Sequence, residues 1–350
     1  MVRRLAFAVP GDLAAPTGGY AYDRRMIAEL KALGWEIDVI GLGDGFPRPS
    51  DAAIAEAQAR LAAVPARQPI VIDGLAFGVM PEAAARLKES HPLVALVHHP
   101  LAMETNIPPA DAATFRTRER AALACTRAVI VTSAATARLL VSDYDVSAER
   151  ITVAVPGTDR ARIAERDSSG RPLLLSVGAV VPRKGYDVLL EALSGLTDLS
   201  WRLVIVGDCT RSPPTVAALK DEITRLNLNE RVTLAGAVPE RELAVLYTTA
   251  DLFVLASRFE GYGMVYTEAI AHGLPVVGTT AGAIPETVPA EAGVLVPPDD
   301  AAALTRALHT LLVDGTTRAR LTGGARAAAA KLPTWPESAR LFARAIEAVA

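Results

Sequence analysis

Ala250-Asp251-Leu252-Phe253-Val254-Leu255-Ala256-Ser257-Arg258-Phe259-Glu260-Gly261-Tyr262-Gly263-Met264-Val265-Tyr266-Thr267-Glu268-Ala269-Ile270-Ala271-His272-Gly273-Leu274-Pro275-Val276-Val277 reads as strand, glycine turn, helix, strand. The apolar run from Ala250 to Ala256 is a short buried strand. In an open α/β sheet the turn after such a strand lies at its carboxyl end, where ligands bind. Gly261 and Gly263 let the backbone approach a ligand closely, and the helix start offers unpaired N–H groups to an anion. Glu260 precedes the turn and Glu268 follows by roughly two helical turns, a spacing that lets both face one bound molecule.

Working outward, the rest of the chain repeats this alternation. In the first half, strands are expected at Leu5–Val9, Glu36–Ile40, Pro69–Ile72, Val94–His98, Ala128–Thr132 and Ile151–Ala154. Helices are expected at Tyr22–Leu33, Ile54–Ala63, Pro81–Ser90, Thr114–Ala124 and Ala134–Tyr144. Between Pro156 and Pro172 the period is lost among Gly157, Asp159, Asp167, Ser168, Ser169 and Gly170, the pattern of a linker. A second series follows, with strands at Leu173–Val177, Arg202–Val206, Val232–Ala235, Leu252–Ala256 and Pro275–Gly278. Its helices are expected at Val188–Leu193, Thr215–Leu226, Glu240–Ala250 and Ala301–Val313. After Pro333-Thr334-Trp335-Pro336 comes a last amphipathic helix, Glu337–Val349. Strand–helix alternation with short connections predicts two parallel sheets, each covered on both faces.

Composition agrees and excludes several classes. A chain of 350 residues, 51% hydrophobic, suits two domains with sizeable cores. A net charge of −3 gives no electrostatic reason to expect nucleic acid. The two cysteines, Cys125 and Cys209, form neither a disulfide framework nor a paired metal motif. Met1-Val2-Arg3-Arg4 followed by an apolar run resembles a signal peptide, but Pro10, Gly11 and Asp12 end the run too early. No apolar run can span a bilayer, so a soluble, cytoplasmic protein is expected.

Four further stretches carry chemistry. Gly178-Ala179-Val180-Val181-Pro182-Arg183-Lys184-Gly185 follows the first strand of the second series, and its two cations can neutralise a diphosphate. Thr17-Gly18-Gly19-Tyr20 matches neither a dinucleotide fingerprint nor a Walker loop, yet its glycines can hold a phosphate or sugar close to backbone amides. Val97-His98-His99-Pro100 ends a strand; His98 can hydrogen-bond a sugar hydroxyl or exchange a proton, with His99 in support. Asp143-Tyr144-Asp145 spells a metal-binding D-x-D, but at a helix C-terminus without a third ligand it reads as a surface turn. Arg116, Arg118 and Arg120 beside Phe115 read as a solvated helix face rather than a lipid-binding one, because Glu119 interrupts them.

With these residues in view, the sequence resembles the retaining glycosyltransferases of family 4. The resemblance rests on the E-x7-E motif from Glu260 to Glu268, the Gly273–Val277 strand, and the Gly178–Gly185 loop. The Ala281-Gly282-Ala283-Ile284-Pro285-Glu286 turn and Gly18-Gly19 add to it. It implies the GT-B architecture: an α/β fold of two doubly wound Rossmann-like domains facing each other across a cleft, with a C-terminal helix crossing back to the first. The implied boundaries are an acceptor-binding domain over 1–160, a nucleotide-sugar-binding domain over 161–332, and the returning helix over 333–350.

The same resemblance implies roles. Glu268 would bind the ribose hydroxyls, Glu260 would face the donor sugar, and Lys184 would neutralise the diphosphate with Arg183. The amides near Gly263, Met264 and Val265 would assist with sugar or phosphate, and Val238 would border the base. Gly18, Gly19, His98 and His99 would line the acceptor side, with Gly19 also near the donor. The family often carries an arginine where this chain has Ala179; Arg183 either replaces it or points to solvent. The implied reaction is retaining, metal-independent transfer of a sugar from a UDP- or GDP-linked donor, with no cofactor. The acceptor would be a carbohydrate, a lipid-linked or a small molecule, and membrane contact at most peripheral. The leaving phosphate would take the acceptor's proton, so no glycosidase-type carboxylate pair is needed. A GT-B sugar-nucleotide epimerase or a catalytically idle nucleotide-sugar-binding protein are the alternatives. A dehydrogenase is excluded because no G-x-G-x-x-G follows either first strand.

Overall fold

The computed structural model describes residues 3–104, 107–161, 163 and 170–350. Asp167, Ser168 and Ser169 of the expected linker, and the first two residues, lie outside them. The chain divides into two compact units, Met1–Gly157 with Pro333–Ala350, and Thr158–Leu332. Each contains one six-stranded sheet, and every strand pairing is parallel. The doubly wound α/β reading is therefore correct for both.

The first unit runs β1 (Arg3–Val9), α1 (Gly18–Ala32), β2 (Trp35–Gly41), α2 (Asp51–Ala62), β3 (Ile70–Asp73), α3 (Gly74–Phe77) and α4 (Pro81–Leu87). It continues with β4 (Leu93–Val97), α5 (Pro109–Leu123), β5 (Ala128–Val131), α6 (Ala134–Asp143) and β6 (Ile151–Val153). Its sheet order is β2-β1-β3-β4-β5-β6. The chain therefore changes winding direction between β1 and β3, whose register pairs Ala6 with Ile70 and Ala8 with Ile72. Every residue of β3, β4 and β5 is buried, which is why these strands read as apolar runs, broken only by the closing Asp73 of β3. Each such Leu, Ile or Val contributes roughly 1.5–3 kcal/mol of burial.

The second unit runs β7 (Leu173–Val177), α7 (Tyr186–Ser194), β8 (Arg202–Val206), α8 (Pro213–Arg225), β9 (Val232–Gly236), α9 (Glu240–Thr249) and β10 (Leu252–Val254). It ends with α10 (Met264–Ala271), β11 (Val276–Thr279), α11 (Ile284–Thr287), β12 (Gly293–Val296), α12 (Ala301–Val313) and α13 (Gly315–Ala329). Sheet order is β12-β11-β10-β7-β8-β9. Its central strands are β7 and β10, registered Leu174 to Leu252, and the winding reverses between them.

The last helix, α14 (Trp335–Glu347), belongs to the first unit, where it packs on α1, β5 and β6. Glu337 closes its first turn by accepting from the Thr334 amide at 2.8 Å, a capping box. Trp335, Ala339, Phe342, Ala343 and Ile346 form its buried stripe, at the three-and-four spacing of one helix face. Phe342 stacks on Phe7 of β1 with ring centroids 6.2 Å apart, and Ser338 Oγ donates to the Val155 carbonyl at 2.5 Å. The expected return of this helix to the first domain is thus present.

Sequence reading missed β12 and α13. Gly-Val-Leu-Val is too short to stand out, and α13 is alanine-rich with few large apolar residues to mark a period. It also placed Gly18 and Gly19 in a loop. They are the first two residues of α1, because Thr17 Oγ1 caps the helix by accepting from the Tyr20 amide at 3.2 Å. Strand β4 ends at Val97, one residue before His98.

Candidate functional site

In the second unit the expected donor residues gather where the winding reverses, at the carboxyl ends of β7 and β10, the position open α/β sheets use for ligands. After β7 the chain makes a single tight turn at Pro182–Lys184, then takes a left-handed step at Gly185 (φ 64°) into α7. A Cβ on Gly185 would lie 2.0 Å from the Ala256 carbonyl oxygen, so only glycine allows the two loops to touch. Arg258 ties them further. Its guanidinium reaches the Pro182 carbonyl at 2.6 Å, Asp187 at 2.7 Å and Asp299 at 2.7 Å.

Glu260 is the centre of this cluster. Lys184 Nζ lies 2.7 Å from Oε1, Arg183 donates to Oε2 at 3.2 Å, and Ser257 Oγ donates to Oε1 at 2.6 Å. Arg183 also donates to the Phe259 carbonyl at 2.8 Å. Of the two expectations for Arg183, replacement or solvent, the solvent one fails: the guanidinium is turned inward onto Glu260. Burial pushes the Glu260 carboxyl upward, but the Lys184 and Arg183 charges overcome it and hold it down at about 2. The carboxylate is therefore fixed and charged. The backbone of Glu260 is gripped too, since its carbonyl accepts from the Ala283 amide at 2.9 Å. A Cβ on Gly282 (φ 57°) would come 2.3 Å from that carbonyl oxygen, which is why the Ala281–Glu286 turn needs glycine there.

Gly263 (φ 89°) turns the chain into α10, so the amides of Met264 and Val265 open the helix as expected. Glu268 lies in the second turn of α10, and its Oε2 accepts from the Tyr247 hydroxyl of α9 at 2.8 Å. Burial raises its carboxyl, Tyr247 opposes that, and Asp159 and Glu240 add to it; Lys184 is close enough to act in the other direction. Tyr247 is stacked on His272, ring centroids 5.0 Å apart, and so is held in place. Tyr247 and Ser257 escaped the sequence reading because a lone tyrosine or serine has no spacing to mark it. Val238 follows β9 at the edge of the sheet, two strands away from β7.

In the first unit a second polar cluster forms where β3 and β4 end. His98 Nε2 lies 3.2 Å from Asp23 Oδ1 and 3.6 Å from Asp73 Oδ2. Asp73 closes β3 and caps α3 through its other oxygen, which accepts from the Leu75 amide at 2.7 Å. Asp23 comes from α1, one turn after Gly19. A Cβ on Gly19 would meet the His98 ring at 3.3 Å, whereas one on Gly18 would meet nothing within 4 Å. The Tyr22 and His98 rings meet nearly perpendicular, centroids 5.4 Å apart. His99 turns instead to Glu104, 2.8 Å away. Sequence reading missed Asp23 and Asp73; the available signal was a carboxylate closing the otherwise apolar Ile70-Val71-Ile72 strand.

Asp145 (φ 55°) pairs with Arg120 and Asp143 accepts from Ser142 at 2.6 Å, so the D-x-D is a tied-down turn. Arg118 pairs with Glu82 at 3.1 Å, as a solvated face would. Among the described residues no helix is long and apolar enough to cross a membrane.

Comparison with known proteins bears on the family and the fold. Residues 158–328 match the family described as "Glycosyl transferases group 1", and residues 18–162 match "Glycosyltransferase Family 4". A D-inositol 3-phosphate glycosyltransferase of Xylanimonas cellulosilytica is 34% identical over 63% of this chain and 57% of its own length. The chain thus spans little more than half of that relative. An MMP alpha-(1->4)-mannosyltransferase of Mycolicibacterium hassiacum is 28% identical over 87% of this chain and 77% of its own. Among solved structures, sucrose-phosphate synthase from Thermosynechococcus elongatus superposes with a TM-score of 0.83 at 22% identity, covering 98% of each chain. That likeness is one of fold, and the family matches add descent: the chain belongs to glycosyltransferase family 4, with the GT-B fold.

Proposed function

We propose that this chain transfers a sugar from a nucleoside-diphosphate sugar to a hydroxyl acceptor, with retention at the anomeric carbon and without a metal. The observation that carries the reading is the Lys184–Arg183–Glu260 cluster at the reversal point of the second sheet. When the C1–O bond to the diphosphate breaks, negative charge grows on the leaving oxygen. Preorganised cations and helix amides stabilise that charge at no reorganisation cost. Lys184 and Arg183, with the amides of Met264 and Val265, supply these groups, and Glu260 keeps the cations fixed until the donor arrives. Glu268 then takes the ribose hydroxyls. The acceptor oxygen attacks C1 on the face the diphosphate leaves, and its proton passes to the leaving phosphate oxygen. Atoms balance with no enzyme carboxylate acting as nucleophile.

The first unit takes the acceptor, with Gly19 and His98 at its ligand edge. We place the enzyme in the cytoplasm, in at most peripheral contact with a membrane. The names of the two relatives, an inositol-phosphate glycosyltransferase and a mannosyltransferase, favour a polyol or sugar acceptor. The test is incubation with UDP- and GDP-sugars and candidate polyols in the presence of EDTA, followed by NMR of the product anomer. An inverted product, or dependence on added metal, overturns the mechanism. Epimerised donor without acceptor would instead identify the epimerase alternative.

A further inference from the structure

The buried charges around His98 ask for more than a binding histidine. We propose that Asp23 and Asp73 are positioning residues that grip the His98 ring through Nε2 and hold it as an imidazolium, so that Nδ1–H serves as a fixed donor to substrate oxygen. The inference deepens the transferase reading and rests on it for the identity of the substrate. It is consistent with the proton route of that reading, because an imidazolium cannot act as a general base and the acceptor's proton there passes to the leaving phosphate.

Two carboxylates converge on one ring nitrogen, at 3.2 and 3.6 Å. Asp23 is fully buried, Asp73 nearly so, and the His98 side chain keeps 20% of its surface. Two buried carboxylates facing each other are costly unless a positive charge stands between them. Asp23 Oδ2 is buried with no hydrogen-bond partner among the described residues; burial and, behind it, Asp73 push its carboxyl up to about 7 against the pull of His98, so it is the ring that favours the charged form of Asp23. Among the described residues, the other groups recorded against His98 bring no cation: the Tyr22 ring stands nearly perpendicular to it, a Cβ on Gly19 would meet it at 3.3 Å, and Thr132 donates to the His98 carbonyl at 3.2 Å. Burial alone would discharge the ring, but Asp23 first and Asp73 second outweigh it and raise its pKa. Because Nε2 is spent on the aspartates, Nδ1 is the nitrogen left for a ligand. The three groups also bring one potential metal ligand each within 4.8 Å of one another. Asp23 stands at hydrogen-bond distance from Nε2 and Asp73, at 3.6 Å, at ion-pair distance.

The experiment is nitrogen-15 NMR of the histidine rings in the full chain, with His98→Gln to assign the signal. Both ring nitrogens of His98 should keep protonated shifts from pH 5.5 to 8.5. Asp23→Asn should lower the titration by about one pH unit or more, and the transfer rate of that variant should fall as its ring discharges. A neutral ring at pH 7.5 in the unaltered protein, or no change in Asp23→Asn, overturns the proposal. A shift of the signal on adding zinc also overturns it, since the cluster would then be a metal site. Should Asp23→Asn fail to fold by circular dichroism, Asp73→Asn carries the same expectation with a smaller shift. If no nucleotide sugar is turned over at all, the transferase reading falls while the NMR result still stands or fails independently.

Discussion

Lys184 Nζ stands 2.7 Å from Glu260 Oε1, so the cation that would meet a diphosphate already has a protein counter-charge. This makes the cluster rigid before any ligand binds, because Ser257 and Arg183 hold the same carboxylate from two other directions. Lys184→Ala should therefore leave the fold in place while cutting turnover by roughly 100- to 1000-fold, the usual effect of deleting one transition-state charge donor. Steady-state kinetics with a melting curve checks both halves. Near-normal turnover would remove the phosphate role from Lys184.

The same pairing makes stability depend on acid. Glu260 titrates at about 2 in the folded chain, below the roughly 4.3 of an unfolded glutamate. A lowered folded value means that the stabilisation is fully present above about pH 4.3 and fades as pH falls through about 2. At 1.36 kcal/mol per unit the contribution is on the order of 3 kcal/mol. Glu260→Gln should be less stable than the parent at pH 7, and the gap should narrow as pH falls from 5 to 2.5. A gap that is constant with pH would show that Glu260 gains nothing from its charge. The variant should also bind a bare nucleoside diphosphate more tightly, since the phosphates no longer compete with a carboxylate for the two cations.

How far the sequence carried this site follows from the type of signal each residue left. Glu260, Glu268, Lys184 and Gly263 lie at motif spacing around glycines, and strand–turn–helix order alone puts them at a sheet's carboxyl edge. The central strands were legible because both faces are buried, leaving runs such as Leu93–Val97 and Leu252–Val254 with no polar interruption. What order cannot show is which residues from distant segments meet. Arg183 turning onto a carboxylate 77 residues away, or Asp23 reaching His98 across 75 residues, depends on tertiary placement that no local period encodes. Lone residues that act through a side-chain hydroxyl, such as Tyr247 and Ser257, leave no pattern at all.

Tyr247 illustrates the consequence. Its hydroxyl donates to Glu268 Oε2 at 2.8 Å while its ring stacks on His272, leaving the other carboxylate oxygen for a ligand. Tyr247→Phe should keep the stack and lose the hydrogen bond. Nucleotide affinity by calorimetry should drop by about 3- to 10-fold, the value of one hydrogen bond to a charged group lost indirectly. Glu268→Ala should drop it further, by about 10- to 100-fold. Equal affinity in all three proteins would refute the ribose role of Glu268.

Glu119 offers a test in the first unit, away from either site. It lies on α5, 1% exposed, with Oε2 accepting from the Leu101 amide at 3.1 Å. Its Oε1 and the Tyr144 hydroxyl are buried with no hydrogen-bond partner among the described residues. Burial pushes its carboxyl up to about 8, against a smaller opposing effect of the Leu101 amide. A raised folded value means that folding is favoured by the protonated form. That contribution is fully present below the unfolded value of about 4.3 and is lost as pH rises through about 8. Glu119→Gln keeps an acceptor for Leu101 and never ionises. Its melting point relative to the parent should therefore climb from pH 5 to pH 8, by several degrees at roughly 2–4 °C per kcal/mol. A difference independent of pH would mean that Glu119 is solvated or paired as a carboxylate, and a variant less stable at pH 8 than at pH 5 would reverse the sign of the argument.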